Sequence, residues 1–170
     1  MDWRRNFIVQ FEGLKEGLHH YDFKIDDAFF AVFEGELVNR GALDVDLEFE
    51  KKSNMLVLNF RISGKVITEC DRCGDDLKVP LEFSRRLIVK YGVEGEEPSE
   101  ELAFIPHSAY ELDVSPYIYE FIVLAMPLRN VHSKGKCNAE ALDRLEKLTS
   151  KNDPEIDPRW SKLNELKNDN

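Results

Sequence analysis

Cysteine and histidine are scarce in this chain, with three of the first and four of the second in 170 residues. Three thiols, an odd number with two of them close together, do not make the disulfide framework of a small secreted domain. A cytoplasmic protein is the expectation. Long apolar runs are missing too. FIVLAMPL (121 to 128) falls far short of the roughly 20 residues that a spanning helix needs. No apolar stretch follows the basic residues of MDWRRNFIVQ, as a signal peptide requires. Neither membrane association nor secretion is therefore expected. There is no glycine-rich phosphate loop, no G-x-S-x-G and no H-E-x-x-H, so the case for an enzyme is thin. Bases are outnumbered: 23 Lys and Arg against 33 Asp and Glu leave a net charge of −10. Affinity for nucleic acid comes largely from cations that neutralise phosphates. Bulk attraction to RNA or DNA is thus lacking, and basic proteins are the expected partners.

What is present reads as a globular chain, 42% hydrophobic and 33% charged, with enough length for a real core. In ALDVDLEFE, Leu43, Val45, Leu47 and Phe49 alternate with Asp44, Asp46, Glu48 and Glu50. Period two predicts a half-buried antiparallel strand with one acidic face. KKSN turns the chain into MLVLNFRISGKVITEC, a long strand with Leu56, Leu58, Phe60 and Ile62 on one face and a bulge or bend at Gly64. VPLEFSRRLIVKY alternates again through Val79, Leu81, Phe83, Leu87 and Val89.

Before these strands, extended pieces are expected around 7–11 and 21–25. Asp26 or Asp27 is placed to cap a short helix bearing Phe29, Phe30 and Phe33. After them, the segment 92–101, with five glutamates and no base, reads as a surface loop, and a short strand follows near 110–114. Ser115 then Pro116 predicts a helix start, with a capping hydroxyl and a proline where no N–H is needed, running to about Met126 as the central core helix. Asn138 is placed to cap an amphipathic helix carrying Ala141, Leu142, Leu145 and Leu148, and Asp157-Pro158 to start a small tail helix. The expected fold is α+β: a twisted antiparallel β-sheet with a central core helix and a short C-terminal helical tail. An α+β core domain over 1–132 and a polar, partly helical segment over 133–170 complete the outline.

The chemistry concentrates in ECDRCGDD (69 to 76). A C-x-x-C pair serves as a zinc knuckle, as a redox pair or as buried sulfur. Redox pairs sit at helix N-termini, and no helix pattern follows Cys73. Zinc needs two more ligands, and VHSKGKC supplies His132 and Cys137. Cys70, Cys73, His132 and Cys137 therefore form a chemically sensible structural zinc set. A rival is a metal- or thiol-dependent enzyme centred on the same turn. His19, His20 and His107 read as turn or loop residues, and Asp71, Asp75 and Asp76 as turn aspartates. Arg159 and Trp160 in DPRWSKL are candidate interface anchors. Glu96 and Glu97 of the acidic loop are candidates for a basic partner.

The order of a long hairpin, CDRC, an acidic loop, LDVSPYIYEFIVLAMPL, VH-x-x-x-x-C and a terminal DPRW-x-x-L resembles the YceD family of large ribosomal RNA subunit accumulation proteins. The resemblance runs from about Gly13 to Leu166 and rests on C-x-R-C together with Asp113, Glu120 and Pro127 of the helix. It implies a non-catalytic role in accumulation of large-subunit ribosomal RNA and in ribosome assembly. The implied partners are ribosomal proteins or assembly factors of the large subunit, with direct RNA contact left open. Many relatives carry further cysteines in the C-terminal part, where this chain has only Cys137. That leaves His132 as the fourth ligand.

Overall fold

The structure is a computed structural model that describes residues 3–33, 38–92 and 101–149. These divide into two compact units. The first holds residues from 3 to 69 and 76 to 130, and the second those from 70 to 75 and 131 to 149. Among the described residues, no helix is long and apolar enough to cross a membrane.

The first unit is built on a five-stranded sheet in the order β2-β3-β4-β5-β6: β2 (Gly17–Ile25), β3 (Arg40–Lys51), β4 (Met55–Glu69), β5 (Asp76–Tyr91) and β6 (Leu102–Ile105). A separate two-stranded sheet pairs β1 (Ile8–Gln10) with β7 (Glu111–Asp113). The fold is α+β, as the alternating patterns imply. The pairings from β2 to β5 are antiparallel, whereas β6 joins β5 in parallel. That parallel edge is an addition to the antiparallel sheet expected from sequence. LAFI is too short to show its period, and a parallel partner is reached through a crossover rather than a tight turn.

The periodicity of the long strands translates directly into burial. Leu43, Val45, Leu47 and Phe49 on β3 are buried, as are Leu56, Leu58, Phe60 and Ile62 on β4. Their register places Phe49 beside Leu58, Leu47 beside Phe60 and Val45 beside Ile62. Asp44 and Asp46 point the other way and are exposed. Gly64 makes no bulge, because the pairing runs unbroken from Ala42↔Lys65 through Leu43↔Gly64 to Asp44↔Ser63. Its role is close approach. At φ +151° it sits in backbone that favours glycine, and a Cβ there would lie 2.3 Å from the Ala42 carbonyl oxygen.

Helices cover the core face. In α1 (Asp27–Phe30), Asp26 Oδ1 accepts from the N–H groups of Ala28 and Phe29 at 3.0 and 3.2 Å, the expected cap. Asp27 accepts from Gly41 N–H at 2.9 Å and so ties this turn to the start of β3. Phe29 and Phe30 are buried, and Phe29 packs against Phe7 and Phe33. α2 (Ser115–Leu124) buries Ile118, Phe121 and Ile122, with the Phe121 ring 5.4 Å from that of Phe60.

Two details of α2 depart from expectation. Val114 is the N-cap, and the Ser115 N–H and hydroxyl both donate to Asp113, at 2.9 and 2.6 Å, rather than capping the helix. Pro116 still sits where the helix wants no N–H. Leu124 is 58% exposed, so the helix is not buried all round. β2 also begins earlier than read, taking His19 and His20 into a strand opposite Phe49 and Glu48 instead of a polar turn. Tyr91 and His107 stack at 5.7 Å.

The N-terminal turn is held by one cation. Lys51 Nζ donates to the carbonyls of Phe11, Glu12 and Leu14 at 2.8, 3.2 and 2.9 Å. All three ammonium hydrogens thus have acceptors.

Gly64→Ala is expected to lower unfolding free energy by more than about 2 kcal/mol in urea titration. Gly13→Ala, where an added Cβ meets nothing within 4 Å, should stay within about 0.5 kcal/mol of the parent. Equal effects of the two would contradict the close approach.

Candidate metal centre

The second unit joins two distant pieces of chain, the turn between β4 and β5 and the segment that begins at Val131. In the first piece, Cys70 N–H donates to the Asp75 carbonyl at 2.9 Å, and Gly74 N–H donates to the Cys70 carbonyl at 2.8 Å. These bonds fold the backbone tightly enough to turn two thiols three positions apart toward one point. Gly74 takes φ +78° with open space around it, so the turn requires its backbone freedom rather than its small size. In the second piece, Lys136 N–H donates to the Ser133 carbonyl at 3.0 Å, and Gly135 takes φ +84°. This turn brings Cys137 back beside His132. The chain then enters α3 (Ala139–Thr149), where Asn138 Oδ1 accepts from Glu140 and Ala141 N–H at 3.0 and 3.4 Å, the cap its position predicts.

The ligand atoms of Cys70, Cys73, His132 and Cys137 all lie within 4.8 Å of one another. Cys70 Sγ is 4.0 Å from Cys137 Sγ, and Cys73 Sγ is 3.4 Å from His132 Nδ1. A tetrahedron built on zinc–sulfur bonds of about 2.3 Å has sulfur–sulfur edges of about 3.8 Å, and a nitrogen corner shortens them slightly. The observed separations straddle those edges. His132 presents Nδ1 to the cluster, and its backbone N–H points at Cys70 Sγ at 3.5 Å.

Electrostatics support the same grouping. Burial alone would raise the Cys70 thiol, but the backbone N–H groups of His132, Arg72 and Cys73, with the Cys73 thiol, outweigh it and bring it down to about 6. Cys137 is pushed up, by burial first and then by the neighbouring Cys70 and Cys73 sulfurs. One thiolate is thus cradled by amides while its neighbour is discouraged from ionising. Adjacent thiolates repel, and a dication among them would remove that conflict. Soft sulfur with one imidazole suits zinc. The residues fit a metal.

The structure brings together all four candidate ligands from sequence. β5, rather than a helix, follows Cys73, so the C-x-x-C pair does not open a helix in the chain. Asp76 receives Arg40 at 2.7 Å. Glu96, Glu97, Arg159 and Trp160 lie outside the described residues. The supporting groups were missed by side-chain reasoning, since they are backbone amides. Their trace in the sequence is the glycine one residue past Cys73 and the glycine two before Cys137.

No curated protein and no solved structure matches this chain. A family model described as "Large ribosomal RNA subunit accumulation protein YceD" matches residues 58–167, which take in most of β4, both pieces of the metal centre and the helices α2 and α3.

In metal-free protein, the ultraviolet thiolate absorbance should rise as pH passes upward through about 6, and Cys70→Ser should remove that step. Because the folded value lies below the ordinary 9.0, the stabilisation from this thiolate is complete above about 9 and is lost as pH falls through about 6. A first thiol step near 9 would contradict the amide cradle.

Proposed function

The chain belongs to the YceD family, described as large ribosomal RNA subunit accumulation proteins, and we propose that it supports large-subunit assembly by binding other proteins rather than by catalysis. The family match is the observation that carries the reading. It spans the segments that supply all four cysteine and histidine ligands, so the centre lies within the family's matched region.

Cys70, Cys73, His132 and Cys137 would hold zinc as a closed four-ligand set. Such a site supplies folding energy and leaves no open position for a substrate. Its work would be to staple the turn at 70–75 to the segment from His132 to Cys137, two pieces that are otherwise far apart in the chain. The centre is then architecture for a binding module.

The partner class follows from charge. A net charge of −10 disfavours sequence-independent RNA binding, while the outward carboxylates Asp44, Asp46, Glu48 and Glu50 of β3 suit basic proteins. Ribosomal proteins of the large subunit, or factors that carry them, have the required chemistry. The protein would work in the cytoplasm, where its thiols stay reduced or metal-bound.

Protein purified without chelator should carry about one zinc per chain, and Cys137→Ser should lose it, as read by metal analysis. Depletion in cells should lower mature large subunits on a sucrose gradient, with restoration by the parent chain. Cys73→Ser separates the rival thiol or metal enzyme from the binding module. An enzyme would lose function while the variant still folds and binds its partners, whereas a stapled module loses folding and binding together. A tight, salt-sensitive complex of the purified protein with large-subunit RNA alone would overturn the protein-contact reading.

A further inference from the structure

A five-stranded sheet has two edges, and here they differ. β6 presents four residues and β2 presents nine. Among the described residues, the backbone groups of 17–25 bond to β3 and to nothing else. An edge of this length is a template for another strand, and soluble proteins ordinarily blunt it with a proline, a bulge or a free lysine. β2 has no proline, and its pairing runs without a skip from Gly17↔Lys51 to Ile25↔Leu43. Its one lysine, Lys24, is engaged by Asp44 at 2.9 Å. Neither a proline nor a bulge guards this edge, and its charged residues are Asp22 and the paired Lys24.

The surroundings of the edge say what it suits. On the solvent face, Asp22 stands directly beside Asp46 across the ladder, and neither belongs to an ion pair among the described residues. Like charges in register repel. Glu48 and Glu50 continue the acidic row on β3, facing His20 and Leu18. A strand added beyond β2 would set every second side chain beside Leu18, His20, Asp22 and Lys24, with the acids of β3 one strand further in, about 10 Å from the new backbone and facing the tips of long Lys or Arg side chains. Its alternate side chains would fall on the other face, beside half-buried Tyr21, whose ring lies 6.1 Å from Phe49 and 6.4 Å from Phe23. Near the end of the edge, a cavity of about 270 Å³ lined by Asn6, Phe7, Asp22, Phe23 and Lys24 leaves room for such side chains.

We propose that β2 is a docking edge that takes up an extended segment of a partner protein as an added strand. The segment carries Lys or Arg at the solvent-side positions and apolar or aromatic residues at the alternate ones. Backbone pairing supplies affinity and the alternating side chains supply selectivity. This rests on the reading that the chain acts through basic protein partners, and it names the surface they use.

The test uses the full chain, isotope-labelled, with a peptide of about eight residues alternating lysine and valine. Three companions control it: an analogue N-methylated on alternate residues, a glutamate–valine peptide, and an Asp22→Asn, Asp46→Asn double variant of the protein. Expected are slowed amide exchange confined to residues 17–25, binding at least about tenfold weaker for the N-methylated analogue, and none for the glutamate peptide. The double variant, altered only at exposed positions, should bind the lysine peptide about threefold or more weakly at low salt, with the difference shrinking at high salt. Equal binding of the N-methylated analogue, protection elsewhere in the chain, an unaffected double variant, or no binding at low salt overturns the proposal. So does protection of 17–25 already complete in the free protein, since the edge is then covered by this chain or a second copy. Such failures leave the depletion phenotype untouched. Loss of that phenotype with peptide binding intact would remove the assembly role and keep the edge.

Discussion

The unbroken register of β3, β4 and β5 is the constraint on which the first unit depends. Side chains alternate faces with period two, so a slip of one residue would send Leu47, Leu58, Phe60 and Ile62 to solvent and carry Asp46 and Arg61 inward. No odd-numbered slip satisfies both strands at once. Gly64 belongs to this constraint, because the ladder brings β3 so near that only a hydrogen fits at that position. α2 then has a continuous apolar surface on which to set Ile118, Phe121 and Ile122.

The connection between the two longest strands is also where the chain keeps its chemistry. Glu69 and Asp76 are paired as the last residues of the β4–β5 ladder, so the six residues between them must close the turn. The backbone bonds that close it also aim the Cys70 and Cys73 sulfurs. Amides gathered around Cys70 favour its thiolate, the form in which a thiol can ligate a metal. His132 and Cys137 complete the set from the far side of α2 in the chain, at a distance in sequence that no local propensity can bridge.

Charge distribution carries the functional argument. The outward face of the sheet is unevenly charged: Asp22, Asp44, Asp46, Glu48 and Glu50 outweigh Lys24 and Arg40 on β2 and β3, while Arg61, Lys65, Lys78, Arg86 and Lys90 outweigh Glu69, Asp76 and Glu82 on β4 and β5. The open edge lies on the acidic side. A net charge of −10 thus coexists with strong local polarity.

Much of this was legible in the residues themselves. Alternation determined β3, β4 and β5 and which of their faces is buried, because period two is a local property. Asp26 and Asn138 marked their helices for the same reason, since a cap acts within one turn. The spacing of Cys70, Cys73, His132 and Cys137 was enough to nominate a ligand set. Only the tertiary structure decided whether those four atoms meet, since that depends on two turns 57 or more residues apart in sequence folding toward one point. It alone moved the cap of α2 from Ser115 to Val114, put His19 and His20 into a strand and added β6 in parallel. It also left β2 as an edge. Pairing partners are chosen by long-range closure and packing, which no window of neighbouring residues contains.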